Sequence, residues 1–130
     1  MEPQVSIIIL NWNGKDLLRR CLRSLTSLTN YKNYKIVLVD NGSTDGSKEF
    51  IKSKYPKVKL IELPKNYGFA RACNEGIYAS SAPYIALLNN DIEVDENWLS
   101  ELYLGMERHP ECGMGTSKTV SYTHLTLPTN

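Results

Sequence analysis

Val5-Ser6-Ile7-Ile8-Ile9-Leu10-Asn11-Trp12-Asn13-Gly14 decides the fold. A continuous β-branched apolar run reads as a strand buried on both faces of a parallel sheet. It stops abruptly at two amides, an aromatic ring and a glycine. Asn13 is placed to cap a helix, with Asp16 in its first turn. Leu17, Leu18, Cys21, Leu22, Leu25 and Leu28 then recur at helical spacing, leaving Lys15, Arg19, Arg20 and Arg23 largely outside the stripe.

The same alternation continues outward. A polar turn, Thr29 to Asn33, leads to a second strand, Lys35-Ile36-Val37-Leu38-Val39. Asp40-Asn41-Gly42-Ser43-Thr44-Asp45-Gly46 is a dense turn cluster, in which Ser43 or Thr44 can cap a helix carrying Phe50, Ile51 and Tyr55. Pro56 breaks that helix, and Val58 to Leu63 reads as a third strand. After the loop Pro64 to Gly68, a helix of small residues runs from Phe69 to about Ala79, with Ala70, Cys73, Ile77 and Tyr78 as its inner face. Tyr84-Ile85-Ala86-Leu87-Leu88 is a fourth strand. A last helix follows Asp95 and places Trp98, Leu99, Leu102, Tyr103 and Met106 on one side. Strands alternating with helices imply βαβ units, hence an α/β, Rossmann-like, mostly parallel sheet in one domain over residues 1–120. Ser121 to Asn130 carries no core pattern and reads as a non-native tail.

Composition excludes several classes. Fifteen Lys and Arg against fourteen Asp and Glu give a net charge of +1, so no basic field marks a nucleic-acid binder. No apolar run approaches the ~18 residues of a membrane span, and no signal-like segment opens the chain. The expected setting is cytoplasmic, extending at most to the inner face of the membrane. Cys21, Cys73 and Cys112 are far apart with no C-x-x-C, which favours reduced thiols over a disulfide framework or a zinc site. His109 and His124 have no partner at ligand spacing.

Three polar clusters follow strands, where open α/β sheets bind ligands. They are Asn11-Trp12-Asn13, Asp40-Asn41 and Asn89-Asn90-Asp91. A strand order of 3-2-1-4 brings all three to one crevice, with Asp40 and Asp91 on either side of Asn11. Asp40 can accept hydrogen bonds from a ribose hydroxyl or a base N–H; equally, Asp40 and Asp45 can serve only the turn and a helix cap. Asn41-x-Ser43-x-Asp45-Gly46 matches the start of a calcium loop but has Lys52 where the bidentate Glu belongs. Asn41-Gly42-Ser43 also matches a glycosylation sequon, read as accidental. Asp91, beside Glu93 and Asp95, is placed to hold Mg²⁺ through diphosphate oxygens, or else simply closes a turn. Asn66-Tyr67-Gly68-Phe69-Ala70 runs into a helix N-terminus that can meet an anion or a base, or is an ordinary helix start. Trp12 can stack on a base or pack beside the strand. An NAD(P)-binding Rossmann domain lacks support, because Asn11-Trp12-Asn13-Gly14 stands where G-x-G-x-x-G is needed.

Together, these segments resemble the family 2 glycosyltransferases of the GT-A fold, with rhamnosyltransferase-type members the closest likeness. The carriers are Val5 to Gly14, Ile36 to Ser47, Asn66 to Ala70 with Asn74 and Gly76, and Leu87 to Asp91 with Glu93, Val94, Trp98 and Leu99. The resemblance implies transfer of a sugar from a UDP- or dTDP-sugar donor to the hydroxyl of a glycan or lipid-linked acceptor, inverting and assisted by Mg²⁺ or Mn²⁺, in cell-surface polysaccharide or glycan synthesis. It assigns Leu10, Asn11, Trp12, Asp40, Asn66, Gly68, Phe69, Asn89 and Asn90 to the nucleotide-sugar pocket and Asp91 to the metal. Asn89 stands where the family's Asp-x-Asp motif has its first acid, which removes one carboxylate. The acceptor site and catalytic base lie downstream in such enzymes, so the chain is expected to be a C-terminally truncated donor-binding half with no nameable base. A non-catalytic nucleotide-sugar-binding fragment is the alternative.

Overall fold

A computed structural model describes residues 3–111 and 113–115. At its centre is β1 (Val5–Asn11), which pairs in parallel with β2 (Tyr34–Asp40) on one side and β4 (Tyr84–Asn89) on the other. β3 (Lys59–Glu62) adds to β2, so the order is β3-β2-β1-β4. This is the predicted order, and it puts the reversal of strand order, the switch point of the parallel sheet, between β1 and β4. Ile7, Ile8 and Ile9 are all fully buried. Side chains alternate across a strand, so Val5, Ile7 and Ile9 join one core layer while Ile8 joins the other.

The first layer is filled by α1 (Lys15–Leu28), α2 (Ser47–Lys54) and α4 (Trp98–Arg108), through Leu18, Leu22, Leu25, Ile51 and Leu99. Each such fully buried leucine contributes roughly 1.5–3 kcal/mol relative to exposure. Leu17 and Leu28, at the margins of the predicted stripe, are about half exposed. Tyr31 lies in a stretch read as a polar turn, yet it is buried. Its hydroxyl donates to the Pro3 carbonyl at 2.5 Å, and its ring meets Tyr103 edge-on.

On the second face lies α3 (Phe69–Tyr78). Its inner face corrects the expectation: Ala72, Cys73 and Gly76 are buried, whereas Ala70 is exposed and Tyr78 is 81% exposed. A Cβ added at Gly76 would lie 2.6 Å from Ile8 Cγ2 and 3.1 Å from Val39 Cγ2. The helix presses its smallest residues onto the sheet, so a face chosen by apolar bulk is rotated from the true one. β3 is also shorter than the predicted Val58 to Leu63, because as the outer strand its ends lack a second partner. Residues 116–130, including the tail set apart by composition, lie outside the described residues.

Two glycine substitutions should therefore act with opposite signs. Gly76→Ala should destabilise the chain by about 1–3 kcal/mol through overpacking, despite the better helix propensity of alanine. Gly105→Ala, inside α4 with nothing within 4 Å of the added Cβ, should stabilise by up to about 1 kcal/mol. Urea unfolding of both variants checks the pair.

Candidate functional site

Register levels the strand ends. Asn11 pairs with Asp40 across β1 and β2, and Leu10 pairs with Asn89 across β1 and β4. Asp40 has no exposed surface. Its carboxylate accepts from Asn11 Nδ2 at 3.0 Å, from the Ser43 backbone N–H at 2.8 Å and from the Ser43 hydroxyl at 2.7 Å. Asn11, 2% exposed, turns its Oδ1 to Asn90 Nδ2 at 2.9 Å. One hydrogen-bonded chain, Asp40–Asn11–Asn90, thus ties the ends of β2, β1 and β4 into a single rim. The predicted convergence of the three clusters is realised, with Asp40 at its buried side. This fully buried carboxylate, with its donors in place, stands behind the rim.

The loops over the rim are locked by the same residue types. Asn13 adopts φ 49°, a left-handed conformation that Asn tolerates better than most residues. It does not cap α1. Its N–H donates to Ser43 Oγ at 2.8 Å and its Oδ1 accepts the Thr44 N–H at 2.7 Å. Neither Ser43 nor Thr44 caps α2, because Ser43 is committed to Asp40. Asp45 serves both helix starts: its carboxylate accepts the Lys15 N–H at 3.0 Å and the Ser47 N–H at 3.0 Å, and also the Ser47 hydroxyl. Burial pushes the Asp45 carboxyl up. The Ser47 hydroxyl and the backbone N–H groups of Lys15, Ser47 and Asp45 itself outweigh it and hold the group below its ordinary 3.8. Asn41 and Ser43 are buried and the exposed Asp45 carboxylate is taken up by two helix starts, so the calcium-loop match gathers no free ligand set.

Asn41 clamps the next loop. Its Nδ2 donates to the Gly68 carbonyl at 3.2 Å and its Oδ1 accepts the Tyr67 N–H at 2.9 Å. Asn66 Oδ1 accepts the Gly68 N–H at 2.8 Å, and Gly68 takes φ 91° with open space around it. Phe69 at 65% and Trp12 at 55% exposure lie open to solvent, so the packing alternative for Trp12 does not apply. The Arg71 guanidinium sits 4.0 Å from the centroid of the Tyr67 ring.

The loop after β4 is fixed from behind by α1. Cys21 Sγ donates to the Asn89 carbonyl at 3.8 Å, and the Val94 N–H donates to Ser24 Oγ at 3.1 Å. Burial, then the negative charges of Asp91 and Glu93, push the Cys21 thiol up to about 12. Asp91 and Glu93 are exposed, while Asp95 accepts the Asn97 N–H at 2.9 Å ahead of α4. No group of three or more His, Cys, Asp or Glu gathers among the described residues. The donor set at Asn89, Asn90 and Asp91 is all hard oxygen with one carboxylate. It suits a divalent cation that takes its remaining ligands from phosphate and water. Beside the rim, a cleft of about 250 Å³ is lined by Leu10, Phe69, Cys73, Leu87, Asn89 and Ile92. Leu10, Phe69 and Asn89 were expected at the site; Asp40 and Asp91 do not line the cleft. Asn41 as a clamp and Gly14 against the Asn11–Asn90 pair were not foreseen, since their partners lie far off in sequence and no local spacing announces them.

Comparison with known proteins bears on this arrangement. The family model for Glycosyl transferase family 2 matches residues 6–126. Glycosyltransferase AglE of Haloferax volcanii is 35% identical over 101 residues, 75% of this chain and 33% of its own length. The mannosyltransferase PcManGT from Pyrobaculum calidifontis, in complex with GDP-Man and Mn²⁺, superposes with a TM-score of 0.75 at 20% identity, covering 82% of this chain and 33% of its own. Staphylococcus aureus TarS 1-349 in complex with UDP-GlcNAc gives 0.73 at 19%, with coverage of 82% and 32%. At these identities the two structures speak for the fold alone. The chain belongs to glycosyltransferase family 2, and its sheet has the GT-A arrangement. It spans about a third of the length of these relatives.

The folded-state depression at Asp45 stabilises the chain above the ordinary carboxylate pKa, and this gain is lost as pH falls through the lower, folded value. Asp45→Asn removes it. The gap in Tm between the parent chain and the variant should be widest near neutrality and close as pH drops below about 4, read by thermal melts across pH.

Proposed function

We propose that this chain binds the nucleotide-diphosphate-sugar donor of a glycosyltransferase that passes the sugar to a glycan or lipid-linked hydroxyl. One observation carries the reading: the Asp40–Asn11–Asn90 chain joins three parallel strand ends at the switch point and leaves Asp91 exposed beside it. The exposed ring of Trp12, the open backbone at Gly68 and the exposed Phe69 offer flat and close-approach surfaces for a base and ribose. Asn66 and Asn41 hold that loop in shape. Leu10 and Asn89 form the floor where the apolar cleft meets the polar rim.

Asp91, with the amide oxygens of Asn89 and Asn90, would hold Mg²⁺ or Mn²⁺. Such an ion supplies electrostatic stabilisation to the departing diphosphate. Asp40 acts behind the site, keeping Asn11 and the 41–46 turn in register. The base that activates the acceptor hydroxyl is assigned to no residue here. The UDP or dTDP nucleotide, the rhamnosyltransferase likeness, inversion and the polysaccharide setting belong to the same proposal and come from the family resemblance. An NAD(P) site is opposed by Trp12 and Asn13 in the turn after β1, where a dinucleotide needs glycines.

Calorimetric titration of the chain with UDP- and dTDP-sugars, with and without Mn²⁺, tests this. Binding should tighten with Mn²⁺. Asp91→Ala should abolish that Mn²⁺ enhancement while moving stability by only about 0.5 kcal/mol, because Asp91 is exposed. Absence of binding to every donor, or an unchanged Mn²⁺ response in the variant, would overturn the reading.

A further inference from the structure

We infer that Asp40, acting through Asn11, sets which end of the Asn90 amide faces the donor. The inference rests on the donor-binding reading and adds two positioning residues to it. A carboxylate only accepts hydrogen bonds. Ser43 Oγ gives its proton to Asp40 and therefore also accepts on the side facing Asn11, at 3.3 Å. Asn11 thus has acceptors on one flank, and its amide nitrogen must lie there. The reverse orientation would set its Oδ1 against a buried carboxylate oxygen and leave Nδ2 without these partners.

Polarity then propagates. With Nδ2 held by Asp40, Asn11 presents Oδ1 to Asn90, and Asn90 must answer with its own Nδ2, at 2.9 Å. The same planar amide carries Asn90 Oδ1 away from Asn11, where it has no partner among the described residues. Gly14 closes the pair from the other side. A Cβ there would lie 2.4 Å from Asn90 Nδ2 and 3.0 Å from Asn11 Oδ1, so only glycine lets the bond form beneath it. Asn90 directly precedes the exposed Asp91 in a motif whose first position, Asn89, carries no acid. Oxygen-out adds a hard donor for a cation or its bound phosphate; nitrogen-out would point protons at it. Asp40 and Asn11 therefore tune the cation site without touching the cation.

Asp40→Asn keeps shape and the acceptor for the Ser43 N–H, but supplies an N–H₂ toward Asn11. Asn11 can then turn over and reverse Asn90. Electron paramagnetic resonance of Mn²⁺ in the presence of UDP should show about tenfold weaker binding in Asp40→Asn, in the range of supporting residues around metal ligands. Gly14→Ala, which leaves Asp40 intact, should lose binding similarly and covers the case in which Asp40→Asn fails to fold. A carboxylate presents oxygen either way, so Asn90→Asp should restore Mn²⁺ binding far more in the Asp40→Asn background than it raises it alone. Equal effects in both backgrounds, or parent-like binding in Asp40→Asn, would overturn the relay. A readout without metal separates the two readings: the Asn90 side-chain N–H₂ should exchange slowly in the parent and quickly in Asp40→Asn by ¹⁵N NMR. Loss of that protection in a chain whose parent form ignores Mn²⁺ and UDP would uphold the relay's orientation and overturn the donor reading. Unchanged protection would sink the relay itself.

Discussion

A buried carboxylate with three protein donors holds this rim together. Taking Asp40 out of water is tolerable only because Asn11 and Ser43 replace the lost hydration. Its geometry is set by strand register, since Asn11 and Asp40 are directly paired residues of β1 and β2. From that point the turn at 41–46, the start of α1 and the amide of Asn90 all inherit their positions. No buried side-chain polar atom among the described residues lacks a partner, so the network is closed.

The second constraint is steric. α3 lies close to the sheet because Gly76 and Ala72 face Ile8 and Val39. Asn41 then holds the loop leading into that helix from the end of β2. Loop and helix are therefore fixed at both ends, one by packing and one by hydrogen bonds. Trp12 and Phe69 keep their rings exposed, and Gly68, although its backbone is held by Asn41 and Asn66, leaves open space beside its Cα.

Family membership and rim geometry divide the question between them. The family 2 match covers the strands whose ends carry these amides and acids. The packing explains what each of them does. Asp45 illustrates the difference: as part of an acid-rich turn it invites a cation, yet its oxygens serve the first N–H groups of two helices. Asp91 is the opposite case, an acid of the same composition left free at the surface.

Strand existence, parallel pairing and the order of the sheet were legible along the chain, because β-branched runs and helical spacing are local patterns repeated within a few residues. So was the gathering of Asn11, Asp40 and Asn89 to Asp91 at one end, since parallel strands all finish on the same side. The inner face of α3, the burial of Tyr31 and the helix starts were not. They depend on how closely layers approach and on partners some thirty to eighty positions away, such as Lys15 with Asp45 and Asn90 with Asn11. Sequence determined which polar groups reach the rim; tertiary structure decided which of them turn inward as buried struts and which remain free for a ligand, because a hydrogen bond's direction is set only when both partners are in place.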